Sequence, residues 1–450
     1  MMTSRALLPT MSLAGRCRTS TSLSAGALRS EKPVAEQSRF SIWADWADLE
    51  HPYRLGEVIL SRKRGHRSAG FSFDDRWLRR QDLRVIDPDV MPFRGPQYPK
   101  AGRRIFGFLT DSAPDRWGRL LMQRREVVRA RDEDRHPGQL DDYDVLLGVH
   151  DRARVGALRF RTSDDGPFLA PDDPWATPPW TRLRELQRAA RAVDRPRPGE
   201  DDSQWLETIL APGSSLGGAR PKATVQDDNG HLWIAKFPSR RDMMDVSAWE
   251  YLVHQLAGEA GIDVPEARLE HLSEEGTTFL VRRFDRTVDR KRLHFASAMT
   301  LLGRTDNDGS PASYLDLAEA ISRYGERPEK DLVELWSRIV FFMAVSNFDD
   351  HLRNHGFLLG RRGWQLSPVY DVNPDPTRRG LSLTVDTVDN RPAYDLALSV
   401  SEYFGLGKTA ARERTREIVG IVSQWRVRAR ALGIPRSEIE LMAAAFRTDW

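Results

Sequence analysis

Ser346-Asn347-Phe348-Asp349-Asp350-His351-Leu352-Arg353-Asn354-His355-Gly356-Phe357-Leu358 is a polar loop between two apolar patterns, and its reading decides the fold. Before it, residues 331–345 place Leu332, Leu335, Trp336, Ile339 and Met343 on one helical face. After it, 357–359 reads as a strand, 360–363 as a turn and 364–366 as the returning strand, followed by Tyr370-Asp371-Val372. A hairpin of that length carries Asp371 back toward the loop that holds Asp349 and Asn354.

Two carboxylates and a carboxamide in this order suit phosphoryl transfer. That chemistry needs a carboxylate beside the acceptor hydroxyl and, close by, oxygen ligands for magnesium. Asp349 and Asn354 have the separation of the Asp and Asn in the kinase catalytic loop H-R-D-x-x-x-x-N, although no His-Arg precedes them. Asp371 occupies the place of the second metal ligand, with no Phe-Gly after it. Taken singly, each of these residues reads equally as a loop cap or a surface charge; their ordered combination carries the expectation. His351 either orients Asp349 or the acceptor, or makes a structural hydrogen bond. His294 and His355 show no metal-ligand spacing.

Upstream, 222–226 and 231–237 read as a hairpin around Asp227-Asp228-Asn229-Gly230. A helix over 246–260 follows, with Trp249, Val253, Leu256 and Ala260 on one face and Gly261 as its stop. Strands at 266–272 and 278–284 complete the order strand, strand, helix, strand, strand of a kinase amino-terminal lobe. Lys236 lies on an apolar strand, where an ammonium must either reach solvent or meet an anion. Glu250 is placed either to pair with it or to face solvent. The small-residue loop from Gly213 to Lys222 can aim backbone N–H groups at phosphate, but it lacks the G-K-[ST] of a Walker loop and by itself also reads as a turn. Residues 280–286, with Arg282 and Phe284, end the last strand and read either as a hinge that contacts adenine through backbone groups or as a run of solvated charges.

Composition bounds the rest. The 450 residues exceed one ordinary domain, and a net charge of +3 is too small to argue for nucleic-acid binding. A single cysteine, Cys17, excludes an intrachain disulfide and points to a reducing compartment, the cytoplasm. No run of about 18 apolar residues is present, so no membrane-spanning helix is expected. Residues 1–40 read as a disordered tail, with Met11 as an alternative start. Residues 41–163 read as a small α+β unit, with a helix over 113–131 capped by Asp115 and carrying Leu120, Leu121 and Val127 on its apolar face. The Pro- and Asp-rich stretch 164–202 reads as a linker with one helix at 182–193, 203–290 as the first lobe, and 291–450 as a helical second lobe with helices at 409–432 and 435–446.

Five motifs then carry a resemblance: Ser215-Leu216-Gly217-Gly218-Ala219-Arg220-Pro221-Lys222, Ala235-Lys236-Phe237-Pro238, Val281-Arg282-Arg283-Phe284-Asp285-Arg286, Asp349-Asp350-His351-Leu352-Arg353-Asn354 and Leu366-Ser367-Pro368-Val369-Tyr370-Asp371-Val372. In their order and spacing the chain resembles the HipA family of serine/threonine toxin kinases. Phe106-Gly107-Phe108-Leu109, Asp115-Arg116-Trp117-Gly118-Arg119 and residues 146–158 look like that family's first subdomain. The resemblance implies an α+β, protein-kinase-like two-lobed fold with an added small α+β N-terminal subdomain and a mainly helical C-terminal lobe. It implies ATP and Mg2+ as cofactors, Asp349 as catalytic base with His351 beside it, and Asn354 and Asp371 as metal ligands. It assigns ATP contacts to Ser215, Gly217, Gly218, Lys222, Lys236, Arg282 and Phe284, and makes Ser215 a site of self-inactivating autophosphorylation. The implied partners are a HipB-like DNA-binding antitoxin, with DNA reached only through it, and a protein substrate such as an aminoacyl-tRNA ligase; no membrane is involved. Phe295-Ala296-Ser297 after His294, and Arg353 beside Asn354, depart from the family pattern. A small-molecule or lipid-headgroup phosphotransferase and a non-catalytic, nucleotide-binding subunit of an antitoxin–DNA complex are the competing readings.

Overall fold

The computed structural model describes residues 36–63, 66–114, 116–169, 177–194, 205–206, 208–210, 218, 220–305, 308–309 and 311–450. The N-terminal residues before 36, the expected cap Asp115, and Ser215 and Gly217 of the phosphate loop lie outside the described residues, as does much of the expected linker.

Strands β1 (Glu36–Ala44), β2 (Tyr53–Lys63), β3 (His66–Phe73) and β4 (Leu158–Arg161) form an antiparallel sheet in the order β3-β2-β1-β4. Alternation along β1 turns Phe40, Ile42 and Ala44 inward, where Val58, Leu60 and Phe71 meet them. Helix α1 (Arg116–Asp132) buries Trp117, Leu121, Met122 and Ala130. Leu120 and Val127, expected on its apolar face, are exposed, because they sit seven residues apart on the side turned away from Trp117 and Leu121.

Helix α2 (Leu183–Asp194) precedes the second sheet, β5 (Lys222–Gln226), β6 (Leu232–Lys236), β7 (Ala267–Ser273) and β8 (Gly276–Arg282), ordered β5-β6-β8-β7. The β5–β6 turn closes through Asp227 and Gly230, the latter at φ 80°. Helix α3 (Val246–Glu259) lies between β6 and β7 in sequence and stops at Gly261, φ 72°. Trp117 and Leu121 of α1 share one core with Leu186 and Val193 of α2 and with Val225, Trp233 and Phe237 of the sheet.

The rest is mainly helical around a small sheet. Strand β9 (Phe295–Ser297) pairs with β10 (Gly356–Leu359), which pairs with β11 (Trp364–Leu366). Helix α4 (Tyr314–Tyr324) packs beside α5 (Pro328–Val345), whose residues from Leu335 to Val345 are all buried, so it is the spine of this lobe. The expected helix over 409–432 is two, α6 (Lys408–Val422) and α7 (Trp425–Ala431); α8 (Arg436–Leu441) runs on into a short 3-10 turn. One hydrophobic core runs from Phe40 of β1 through α3 and α5 to Phe446. No helix among the described residues is long and apolar enough to cross a membrane.

Candidate active site

Lys236 ends β6, and the sheet register sets Lys222 of β5 directly opposite it and Phe279 of β8 on the other side. Directly paired residues share a face, so both lysines project toward the second lobe's loops. The carboxylate that answers Lys236 comes from α3. At the start of that helix the Asp245 carboxylate accepts from the Ala248 amide at 3.1 Å, and from the Thr277 amide and hydroxyl at 2.9 and 2.8 Å. This cap fastens the helix to β8. Farther off, the Glu438 carboxylate of α8 accepts from the Trp249 indole at 2.9 Å. So held, α3 turns Glu250 inward, where it is 5% exposed. The Lys236 ammonium donates to Glu250 and, at 2.8 Å, to Asp371 Oδ1. Of the two positions open to Glu250, the structure takes the ion pair.

Charge states follow from these contacts. Burial works against the Lys236 ammonium, but Asp371 and Glu250 together hold its pKa above the usual lysine value. The same ammonium, helped by Lys222 and against burial, holds the Asp371 carboxyl far below the usual carboxylate range. Burial pushes Glu250 upward, against the pull of Lys236. Asp371 is therefore the carboxylate kept ionised at the centre of the site.

The polar loop after α5 is shaped by two non-glycine residues with left-handed backbone, Ser346 at φ 51° and Asp371 at φ 57°. Ser346 turns the chain out of the helix, and its carbonyl accepts from the Asp375 amide at 3.0 Å. Asn347 Oδ1 accepts from the Asn373 amide at 3.1 Å, and the Tyr370 hydroxyl donates to the Arg353 carbonyl at 2.6 Å. These three straps bind the loop to the segment after the hairpin and bring Asn354 and Asp371 to the same end of the small sheet.

Two adjacent aspartates take opposite parts. Asp350 is buried, accepts from the Tyr314 hydroxyl and the Ser382 amide, both at 2.6 Å, and is pushed up to about 6 by burial. Asp349 is open to solvent; its Oδ1 accepts from Arg378 at 3.0 Å, and its carbonyl accepts from the Asn354 amide at 2.7 Å. That bond commits the Asn354 nitrogen and leaves its carbonyl oxygen as the group available to a cation. His351 Nε2 is 3.9 Å from Asp349 Oδ2, too far for a hydrogen bond. Sequence reasoning missed Arg378, which sits in a polar stretch with no periodicity to mark it.

Phe284, Phe295 and Tyr370 form an aromatic group, with ring centroids 5.5 Å apart for Phe284 and Tyr370 and 6.2 Å for Phe284 and Phe295. Tyr370 was not among the expected contacts, although its place before Asp371 marks it. Arg282, expected beside Phe284, instead lines a different cavity. Gly218 is described, with φ 87°, and its carbonyl accepts from the Trp117 amide. The oxygen donors of Asn354 and Asp371 beside a buried ammonium are hard ligands, of the kind a magnesium ion takes rather than a softer metal.

The HipA of Shewanella oneidensis MR-1, solved with HipB and its operator DNA, superposes over 90% of this chain and 94% of its own at a TM-score of 0.63 and 16% identity. At that identity the likeness shows the fold, including the added N-terminal subdomain. Two curated proteins, each named "Putative kinase", match in sequence. One from Haemophilus influenzae is 27% identical over 187 residues, 36% of this chain and 54% of that protein. One from Sinorhizobium fredii is 28% identical over 159 residues, 32% of this chain and 38% of that protein. The match thus spans about half, or less, of these relatives' length. The family described as HipA-like C-terminal domain matches residues 214–446, more than half of the chain and the whole of the site just described, so the chain belongs to that family.

Proposed function

We propose that the chain is an ATP- and magnesium-dependent serine/threonine protein kinase of the HipA toxin type, neutralised by a HipB-like antitoxin. The observation that carries this reading is the double ion pair of Lys236 with Glu250 and Asp371, the strand-lysine, helix-glutamate and metal-ligand aspartate of a kinase site. Lys236 and Lys222 bind phosphate, with Gly217 and Gly218 offering backbone N–H groups. Asn354 and Asp371 would hold magnesium, which would offset charge on the phosphates. Phe284, packed against Tyr370, offers an apolar face to the adenine.

Asp349 takes the proton of the acceptor hydroxyl as its oxygen bonds to the γ-phosphorus and the bond to the β-phosphate oxygen breaks. Arg378 holds Oδ1 of that carboxylate and leaves Oδ2 open to the acceptor hydroxyl. Ser215 is the self-phosphorylation site, and an aminoacyl-tRNA ligase is the proposed target. The named HipB and operator DNA of the Shewanella oneidensis complex support the antitoxin part of the reading. Incubating the full chain with labelled ATP, magnesium and cell extract tests it. Label on a protein serine or threonine is expected; label on a metabolite, or none, would overturn the reading.

A further inference from the structure

A cavity of about 260 Å³ opens between the loop that holds Arg152, the β5–β6 turn and the end of β8. Its wall contains Arg152, Arg282, Arg283, Arg286, Arg290 and Arg292, together with His231 and Thr287, and no carboxylate. Three of these arginines sit on one small hairpin, closed by the Arg286–Arg292 bridge and by Thr287 and Lys291. The cavity is not the kinase site. It touches Leu232 at the opposite end of β6 from Lys236, a separation of roughly 13 Å at strand rise.

Much of this positive charge is hydrogen-bonded but not neutralised. Arg283 and Arg286 share the single carboxylate of Asp285 and send their other N–H groups to the carbonyls of Ala153, Arg154 and Gly156. Arg292 shares both Asp151 and Asp45 with Arg159. Arg282 reaches Glu266 at 3.6 Å, Arg152 donates to the neutral amide oxygen of Gln226, and the Arg290 guanidinium, unlike its backbone amide, has no hydrogen bond or ion pair among the described residues. Carbonyl and amide oxygens satisfy donors without cancelling charge. Counting Asp285 fully and the shared Asp151, Asp45 and Glu266 by half leaves an excess of about three to four positive charges around the cavity. Burial accordingly pushes the Arg286 guanidinium below its usual pKa, even beside Asp285.

We propose that this cavity is a binding site for a pyrophosphate group, carried either by free inorganic pyrophosphate or by a nucleoside diphosphate. The forked guanidiniums match phosphate oxygens pairwise, and a doubly phosphorylated anion carries charge comparable to the excess. Because the wall joins the N-terminal unit to the first lobe, an occupant draws those parts together. The site stands independently of the kinase reading.

Calorimetric titration of the full chain with inorganic pyrophosphate, at low salt and without magnesium, tests it. One site is expected, and Arg152→Ala with Arg290→Ala should weaken it at least about tenfold with an unchanged melting temperature, since both side chains are exposed. Lys236→Met, which removes the phosphate-binding cation of the other site, should change the affinity by less than about twofold. No binding, unchanged affinity in the double variant, loss in Lys236→Met, or equally tight binding of inorganic phosphate would overturn the proposal. In Lys236→Met, competition by ADP supports the site with a nucleotide as its source; failure of ADP to compete supports it with free pyrophosphate.

Discussion

Asp349 and Asp350 show how neighbouring identical residues diverge. Asp350 is a strut, buried and hydrogen-bonded to Tyr314 and Ser382, whereas Asp349 faces solvent and holds Arg378 by its side chain. Replacing Asp349 by Asn should lower the turnover number by about a hundredfold or more while leaving the affinity for ATP nearly unchanged, because the carboxylate acts on the acceptor. Single-turnover assays beside nucleotide titrations separate the two quantities. His294 offers a different test. It is 1% exposed, stacked on Trp46 and near Trp364, and neither ring nitrogen has a partner among the described residues. Burial, with Arg84 nearby, pushes it down to about 3. A histidine depressed when folded takes up more protons when unfolded, so its drag on stability begins below about pH 6.5 and grows as pH falls toward 3. At pH 5 that amounts to about 2 kcal/mol. His294→Phe should therefore raise the melting temperature more at pH 5 than at pH 8; an equal gain at both would remove His294 from the acid response.

The hairpin β10–β11 does at the scale of elements what Asp349 does at the scale of residues. Its turn is pressed against the end of α4: a Cβ on Gly363 would stand 2.5 Å from the Tyr324 carbonyl and 3.0 Å from the Glu326 amide, both backbone atoms. Gly363→Ala should cost about 1–3 kcal/mol and reduce turnover by shifting Asp371 away from Asn354. In the same denaturation series Gly420→Ala, on an open face of α6, should stabilise by up to about 1 kcal/mol. The elements themselves were largely legible. Gly230 and Gly261 marked a turn and a helix end, and the stripe of α5 is dense enough to read at a glance. What escaped was phase and pairing. Val127 is as apolar as Val128, and only packing against the sheet beyond α1 selects the latter. Glu250 was one helix glutamate among several until Asp245 fixed the rotation of α3. Arg378 and the arginine-walled cavity depend on contacts across tens to more than a hundred residues, for which no local pattern exists.

Across the whole molecule, the N-terminal sheet and the second lobe share a core. Phe108 and Leu109 join the cluster that holds Trp336 and Phe341, and the Asp111 carboxylate accepts from the Ser297 amide and hydroxyl at 2.8 and 2.7 Å. The composition break near residue 164 is therefore not a break in packing. A fragment of residues 205–450 should expose the faces that Phe108 and Trp117 cover and come out insoluble, or melt far below the intact chain. A soluble fragment with an unchanged melting temperature would show the two parts to be thermally independent.

The left-handed turn at Asp371 also dictates how its carboxylate can be interrogated. Alanine there adds a backbone penalty of about 1–2 kcal/mol to the loss of charge, so a dead variant would mix distortion with chemistry. Asparagine tolerates that conformation and keeps the side chain's shape, and it is the substitution whose phenotype reads as lost charge alone.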